Sequence, residues 1–154
     1  MPAVVSRAVE VVAFRFEEAG PRVLLLHRAP EEPVYPGIWQ IITGTIEPGE
    51  SAIRAALREM TEETGLVPEK FWTVPFVNRF YDPGRDEVHL IPFFAAQVLP
   101  RGEVQLSPEH SDFRWLEFSE AGGLLVWPGQ REGLEIVKNE IVEGGAASIR
   151  TLVL

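Results

Sequence analysis

The sequence predicts an α/β fold in which helices cover both sides of a mixed β-sheet. Two observations predict it: β-branched apolar segments lie on both sides of one amphipathic helix, and a second helical pattern lies near the C-terminus. The composition agrees, because 45% hydrophobic and 24% charged residues are typical of a packed globular protein. A chain of 154 residues is expected to form a single domain over residues 1–154.

The first half of the chain predicts a β-hairpin followed by a short strand and a helix. In chain order, the predicted elements are strands over 9–16, 22–27 and 38–43 and a helix over 51–64. The strands are rich in β-branched and aliphatic residues, and turn-forming residues separate them. The loop over 29–37, for example, contains three prolines. Gly65 follows the helix where a left-handed residue commonly ends one.

The second half predicts a long hairpin, a strand and a second helix. Two apolar segments between 71 and 98 flank the polar turn 81–86. A short strand is expected over 112–118, and a helix over 129–142 with an apolar stripe formed by Leu134, Val137 and Ile141. The tail 146–154 fits either a final strand or a loosely packed end.

Charge and cysteine content narrow the classes of function. The chain carries 14 Lys and Arg against 23 Asp and Glu, a net charge of −9, so a basic face for nucleic acid is not expected. With no cysteine, it has no disulfide, thiolate zinc site or cysteine nucleophile. No apolar run is long enough to span a membrane, and the first residues lack the pattern of a signal peptide. We therefore expect a cytoplasmic protein with no membrane partner.

The helix over 51–64 carries an unusual density of carboxylates. Glu59 and Glu63 are four residues apart and Glu62 lies one step round from them. All three are expected beside the stripe that faces the core, formed by Ile53, Ala56, Leu57 and Met60.

Two kinds of interaction could offset the repulsion between these carboxylates. Like charges at this spacing destabilise a helix by a few tenths of a kcal/mol per pair. One interpretation is a solvated acidic face on which Arg58 pairs with Glu62, four residues on. The other is a site for a divalent cation, because clustered carboxylate oxygens suit Mg²⁺ or Mn²⁺.

The spacing around this helix resembles the Nudix box, G-x5-E-x7-R-E-U-x-E-E-x-G-U, where U is a bulky aliphatic residue. Its positions are filled by Gly44, Glu50, Arg58, Glu59, Met60, Glu62, Glu63, Gly65 and Leu66. The resemblance implies a Nudix-type α/β/α sandwich with a mixed sheet and a Mg²⁺-dependent hydrolase, with Mn²⁺ as an alternative cofactor. Such enzymes cleave a pyrophosphate bond in a small-molecule phosphoanhydride, namely a nucleoside diphosphate linked to another group.

The resemblance also implies a role for each box residue. Glu59, Glu62 and Glu63 would bind the metal, and the general base is left open among them. Arg58 would orient a glutamate, and the Gly44 carbonyl would approach the metal.

Further candidates lie outside the box. In the family, a base or further metal ligand often comes from a later loop, which favours Glu109; Glu87 on the long hairpin is the rival. Arg28, at the end of the second strand, could bind phosphate through its guanidinium, and the Thr43 hydroxyl could lie beside the phosphates. Trp39 and Tyr81 offer flat faces for a heterocyclic ring, although a buried tryptophan is the alternative at 39.

Two short runs resemble one branch of the family, the dihydroneopterin triphosphate pyrophosphatases. They are Trp39-Gln40-Ile41-Ile42-Thr43-Gly44-Thr45-Ile46-Glu47 and the segment from Glu109-His110 to Trp115-Leu116. The branch implies release of pyrophosphate from a pterin or nucleoside triphosphate. Hydrolysis of diadenosine polyphosphate, ADP-ribose or a nucleotide sugar is the alternative, followed by a non-catalytic nucleotide-binding regulator. A homodimer is compatible with the sequence.

Overall fold

The computed structural model describes residues 1–145, 148–149 and 151–154. Its strands are β1 (Ala3–Val5), β2 (Ala8–Glu17), β3 (Gly20–Arg28), β4 (Trp39–Gln40), β5 (Ile42–Thr45), β6 (Lys70–Asp82), β7 (Glu87–Gln97) and β8 (His110–Leu116). Its helices are α1 (Ala52–Thr64), α2 (Phe118–Leu124) and α3 (Pro128–Ile136), and α3 continues into a π-helical turn at Val137–Val142.

The strands of the described residues form one mixed sheet in the order β1-β7-β2-β3-β4. β7 is parallel to β1 and β2, whereas β3 and β5 pair with β2 in antiparallel orientation. β6 pairs with β7, and β8 pairs with β3. The predicted mixed sheet is therefore confirmed.

Side chains of β2 alternate between two hydrophobic cores, one on each face of the sheet. Val9 and Val11 pack on one face with Met60 of α1. Val12 and Phe14 pack on the other face, in the core that contains the buried residues of α2 and α3. The period-2 alternation of β2 thus buries both faces beneath helices, and the predicted α/β/α sandwich is confirmed.

The helix α1 begins and ends as its sequence predicts. The Ser51 hydroxyl oxygen accepts a hydrogen bond from the Arg54 backbone N–H, which caps the first turn. Gly65 adopts the left-handed conformation with φ of 70°, and its N–H donates to the Thr61 carbonyl. No helix within the described ranges is long and apolar enough to cross a membrane.

One local prediction was wrong, and two short elements were missed. The segment 38–43 is not one strand but two, because β4 pairs with β3 and β5 pairs with β2, with Ile41 between them. This exchange of partners depends on long-range pairing and leaves no mark in the apolar pattern. The strand β1 and the helix α2 were not predicted, since each is short.

The C-terminal tail packs against the strand β6. The Trp72 indole N–H donates to the Ser148 carbonyl at 2.7 Å, and Leu152 forms an isolated antiparallel bridge with Trp72. The alternatives predicted for 146–154 also cover residues 146, 147 and 150, which lie outside the described residues.

Candidate active site

A cleft of about 260 Å³ opens where the ends of β3 and β5 meet α1. It is lined by Ala8, Arg28, Gln40, Thr43, Gly44, Thr45, Glu59, Glu63 and Glu109. Residues of the Nudix-like box therefore meet Arg28 and Glu109, which are distant in sequence. Glu62, Trp39 and Tyr81 are not part of this lining.

Glu63 is the buried carboxylate of the cleft, with only 3% of its surface exposed. Its Oε2 is buried without a hydrogen-bond partner. Burial, followed by the nearby charges of Glu59 and Glu109, raises its pKa to about 9, whereas a hydrogen bond from the Thr43 backbone acts in the opposite direction. The sequence placed Glu63 beside the core stripe; the structure corrects this, because the buried arc of α1 extends as far as Glu63.

The predicted core stripe of α1 is only partly buried. Ala56 and Met60 are fully buried, but Ile53 and Leu57 are half-buried at the edge of the core. Ala55 is fully buried in their place. The buried arc is rotated toward the cleft because α1 packs on β2 and β5 from one side.

Glu59 lies directly against the backbone of Gly44. A Cβ atom at position 44 would overlap the Glu59 side chain, so this contact requires glycine. Glu59 Oε1 accepts hydrogen bonds from the Thr45 N–H at 3.3 Å and from Arg58 at 2.9 Å. Burial raises its pKa, and Arg58 opposes that effect. The loop and the helix are thereby held together at the carboxylate.

Arg58 connects the helix to the loop that precedes it. Its Nε and Nη2 donate to the Glu50 carboxylate at 2.8 Å each, and Nη2 also donates to the Thr45 carbonyl. This bidentate bond lowers the pKa of Glu50 to about 2. The Arg58–Glu62 pair expected from the four-residue spacing is present at 3.2 Å, with Glu62 exposed to solvent. Arg58 is thus fully engaged by protein groups.

Glu109 reaches the cleft from the turn before β8. Its side chain is exposed, and its carbonyl accepts from the Ala29 N–H at 2.9 Å. The rival Glu87 lies elsewhere, where it pairs with Arg7 at 2.8 Å and contacts His89. The geometry therefore brings Glu109, and not Glu87, next to Glu63.

Arg28 and Thr43 line the same cleft from two strands. The Arg28 guanidinium donates to the Val34 carbonyl at 2.9 Å and pairs with Glu32 at 3.3 Å. The Thr43 hydroxyl donates to the Ile41 carbonyl, which leaves its oxygen lone pairs as acceptors. Arg28 is the cation of the lining, so its predicted contact with phosphate has geometric support.

The two aromatic candidates lie away from the cleft. Trp39 is half-buried against the core beneath α2 and α3, with the Arg114 guanidinium 4.8 Å and the His27 ring 4.6 Å from its ring centre. Tyr81 is exposed at the end of β6, where its hydroxyl donates to Asp86. Their predicted contact with a ring therefore has no support from the shape of the cleft.

Two polar residues of the site were not predicted. Gln40 and His110 are buried, and their side chains form a hydrogen bond at 2.9 Å between Gln40 Nε2 and His110 Nε2. Burial, together with the charges of Arg28 and His27, lowers the pKa of His110 to about 4, so the imidazole is neutral. Both residues occur in the two branch-like runs, but only folding reveals that they meet.

The donor set suits a hard divalent cation. The cleft presents carboxylates of Glu59, Glu63 and Glu109, with the unpartnered Glu63 Oε2 among them. Oxygen ligands of this kind are those that Mg²⁺ binds. Among the described residues, no three His, Asp or Glu side chains already converge as a finished metal site, so binding would require their side chains to rotate.

Comparison with known proteins identifies the family. The NUDIX domain profile matches residues 6–138, which is most of the chain. The chain belongs to the Nudix family. It is also 30% identical over 101 residues to the nucleoside triphosphatase NudI of Escherichia coli K12, a match covering 61% of this chain and 72% of that protein.

A second relative is much longer than this Nudix chain. The octanoyltransferase of Myxococcus xanthus is 38% identical over 132 residues, which is 81% of this chain but 34% of that protein. The chain therefore spans about a third of that relative's length. The match supports similarity to one segment and carries nothing about the activity of the whole protein.

Two solved structures share the fold of this chain. A binary complex of the Ap4A hydrolase of Caenorhabditis elegans superposes with a TM-score of 0.74 at 24% identity, covering 88% of this chain and 96% of that one. The dihydroneopterin triphosphate pyrophosphohydrolase of Escherichia coli gives a TM-score of 0.68 at 24% identity, covering 86% and 92%. At 24% identity these two structures show the shared fold alone. The family match and the likeness to NudI indicate an enzyme of the Nudix pyrophosphohydrolase type.

Proposed function

We propose that this Nudix enzyme uses Mg²⁺ to hydrolyse a triphosphate that carries a compact heterocycle, releasing pyrophosphate. The observation that carries the proposal is the buried, unpartnered Glu63 oxygen beside Glu59 and Glu109, in the cleft that also contains Arg28. Carboxylates alone would repel a polyphosphate. A cation between them and the substrate would reverse that repulsion.

Glu59, Glu62 and Glu63, with the Gly44 carbonyl and Glu109, are the proposed metal ligands. Bound Mg²⁺ would supply positive charge to the phosphate oxygens and make a water molecule easier to deprotonate. Mn²⁺ has similar ligand preferences and is expected to substitute. Glu62 is exposed and bound to Arg58, so it would join only after that ion pair loosens.

The remaining residues of the cleft would bind and orient the substrate. Arg28 would donate to the phosphate oxygens, since it lines the cleft. Thr43 lines the same cleft, and its hydroxyl, which donates to the Ile41 carbonyl, would have to rotate to donate to a phosphate oxygen. Glu109, exposed at the cleft and close enough to raise the pKa of Glu63, is the proposed general base or additional metal ligand. Arg58 would keep Glu59 in place without contacting the substrate.

The proposed substrate is dihydroneopterin triphosphate or a nucleoside triphosphate. Three facts support it: the two branch-like runs, the similarity to a nucleoside triphosphatase, and the shared fold with a dihydroneopterin triphosphate pyrophosphohydrolase. Diadenosine tetraphosphate is the second candidate, because the fold also resembles that of an Ap4A hydrolase.

The test compares kcat/KM for dihydroneopterin triphosphate, dATP and diadenosine tetraphosphate at one Mg²⁺ concentration, with pyrophosphate measured directly. We expect the pterin triphosphate to be hydrolysed fastest and dATP more slowly. A tenfold advantage for the dinucleotide would overturn the substrate assignment and leave the family intact. Activity that is unaffected by removing divalent metal would overturn the metal assignment.

A further inference from the structure

The segment that carries Glu109 is connected to β4 by a buried side-chain hydrogen bond. Gln40 Nε2 lies 2.9 Å from His110 Nε2, and the two residues are only 7% and 4% exposed. An amide nitrogen only donates, so the imidazole accepts at Nε2. The bond therefore joins two neutral groups inside the protein, next to a carboxylate of the cleft.

This hydrogen bond spans the end of β3. β3 lies between β4 and β8, because Leu26 pairs with both Gln40 and Phe113. The β3–β8 register shifts between His27, which pairs with Asp112, and Arg28, which pairs with His110. One residue is thus extra in β8. Bulges of this kind change the direction in which neighbouring side chains point.

The direction of the Glu109 carboxylate depends on this segment. Within the described part of the chain, that carboxylate makes no hydrogen bond or ion pair, and its backbone carbonyl is bonded to the Ala29 N–H. The segment therefore sets where this side chain starts and the direction of its Cα–Cβ bond. The side-chain hydrogen bond nearest to Glu109 in this segment joins His110 to Gln40. Gln40 itself lines the cleft.

We propose that Gln40 and His110 are positioning residues, which hold the bulged segment so that Glu109 points at Glu63 across the cleft. The proposal rests on the proposed function in one respect, namely that Glu109 takes part in hydrolysis. Neither residue needs to contact the substrate or change its protonation state. Their effect on the reaction would pass through Glu109.

A double-mutant cycle tests whether Gln40 affects the reaction through Glu109. Gln40→Leu is expected to lower kcat about tenfold and to leave KM within about twofold. In a Glu109→Gln background, the same substitution is expected to cost nothing further, because its effect passes through Glu109. A further tenfold loss in that background would overturn the proposal. Ser111→Ala, which changes the neighbouring bulge residue, is the matched control and should retain wild-type kcat.

Substitutions at position 110 provide the complementary measurement. His110→Leu should match Gln40→Leu in kcat, and the pair together should be no slower than either alone. His110→Gln retains an acceptor for the Gln40 amide and should recover at least half of the wild-type kcat. Equal loss in His110→Gln and His110→Leu would show that the hydrogen bond is not responsible. If Gln40→Leu fails to fold, Gln40→Asn is used, because it stays polar but is one methylene too short.

NMR relaxation of the metal-free protein separates this proposal from the proposed function. The backbone amide order parameter of Glu109 is expected to fall in Gln40→Leu, whereas that of Glu63 stays unchanged. An unchanged value for Glu109 would overturn the positioning role. If the wild-type protein hydrolyses none of the three substrates, the proposed function fails, but the NMR result still decides whether Gln40 fixes the segment.

Discussion

Among the described residues, each face of the sheet buries one carboxylate, and the two carboxylates have opposite environments. Glu63 faces the cleft on the α1 side, with one oxygen unpartnered and two further carboxylates nearby. Glu10 lies on the α3 side at 2% exposure, where Asn78 donates to one oxygen at 2.6 Å and Gln130 donates to the other. Both sit on rigid elements of the same fold.

The two environments suit different roles: that of Glu10 suits a structural carboxylate, and that of Glu63 suits a metal ligand. Burial raises the pKa of Glu10, but the two amide donors oppose that shift. The pKa of Glu63 rises to about 9 because burial and neighbouring carboxylates act in the same direction. A buried carboxyl without donors keeps its proton, because ionising it there costs free energy, and such a site is expected where a cation binds.

The largest expected effect is on catalysis. Glu63→Gln should lower kcat on the order of 10³-fold, since losing a metal ligand removes several kcal/mol of transition-state stabilisation. Glu10→Gln is the matched control and should stay within about threefold, because Glu10 lies on the other face. Steady-state kinetics in saturating Mg²⁺ measures both. Equal losses in the two variants would show that burial alone, and not position, decides the effect.

A pair of glycines gives a second contrast. A Cβ at Gly44 would displace Glu59, whereas a Cβ at Gly129 would displace Asn78 from the Glu10 network. Gly44→Ala should therefore lower kcat about 10²-fold with little change in unfolding free energy. Gly129→Ala should instead cost about 1–3 kcal/mol of stability and retain kcat. Kinetics and urea unfolding of both variants provide the measurement; loss of activity in Gly129→Ala alone would reverse the assignment of the two faces.

Removing Arg58 should disturb the cleft indirectly. Its side chain bonds to Glu50, Glu59, Glu62 and the Thr45 carbonyl, so Arg58→Ala releases the loop from the helix. We expect kcat to fall about tenfold or more while KM stays within about threefold. Arg54→Ala, one turn earlier on the exposed surface of the helix, should behave as wild type. A change confined to KM would indicate that Arg58 contacts the substrate.

The last expected effect is on the stability of the metal-free enzyme, not on catalysis. Because the folded-state pKa of Glu63 is raised from 4.5 to about 9, its contribution is full below pH 4.5 and is lost as pH rises through 9. Glu63→Gln removes that loss and should stabilise the metal-free protein by about 1–3 kcal/mol at pH 9. Urea unfolding in EDTA at pH 5, 7 and 9 measures it. Parallel pH profiles for wild type and variant would contradict the raised pKa.

The sequence by itself determined the family, the sandwich fold and the helix that carries the glutamates. These depend on local patterns: the spacing of the box, the β-branched apolar segments on both sides of α1 and the glycine that follows it. The assignments of individual site residues, and of residues 1–154 to one domain, stay predictions. Glu109 was predicted as a site residue from its place in a later loop. No local sequence pattern predicts the direction of its side chain.

Only the tertiary structure shows how the three box carboxylates differ in exposure to solvent. Glu59, Glu62 and Glu63 look equivalent in sequence, yet Glu62 is exposed and Glu63 is buried, because the sheet covers only one side of α1. The exchange of partners between β4 and β5, and the bond between Gln40 and His110 across 70 residues, likewise depend on strand pairing. Burial and long-range pairing depend on how the whole chain folds. A sequence pattern that repeats every few residues therefore cannot predict them.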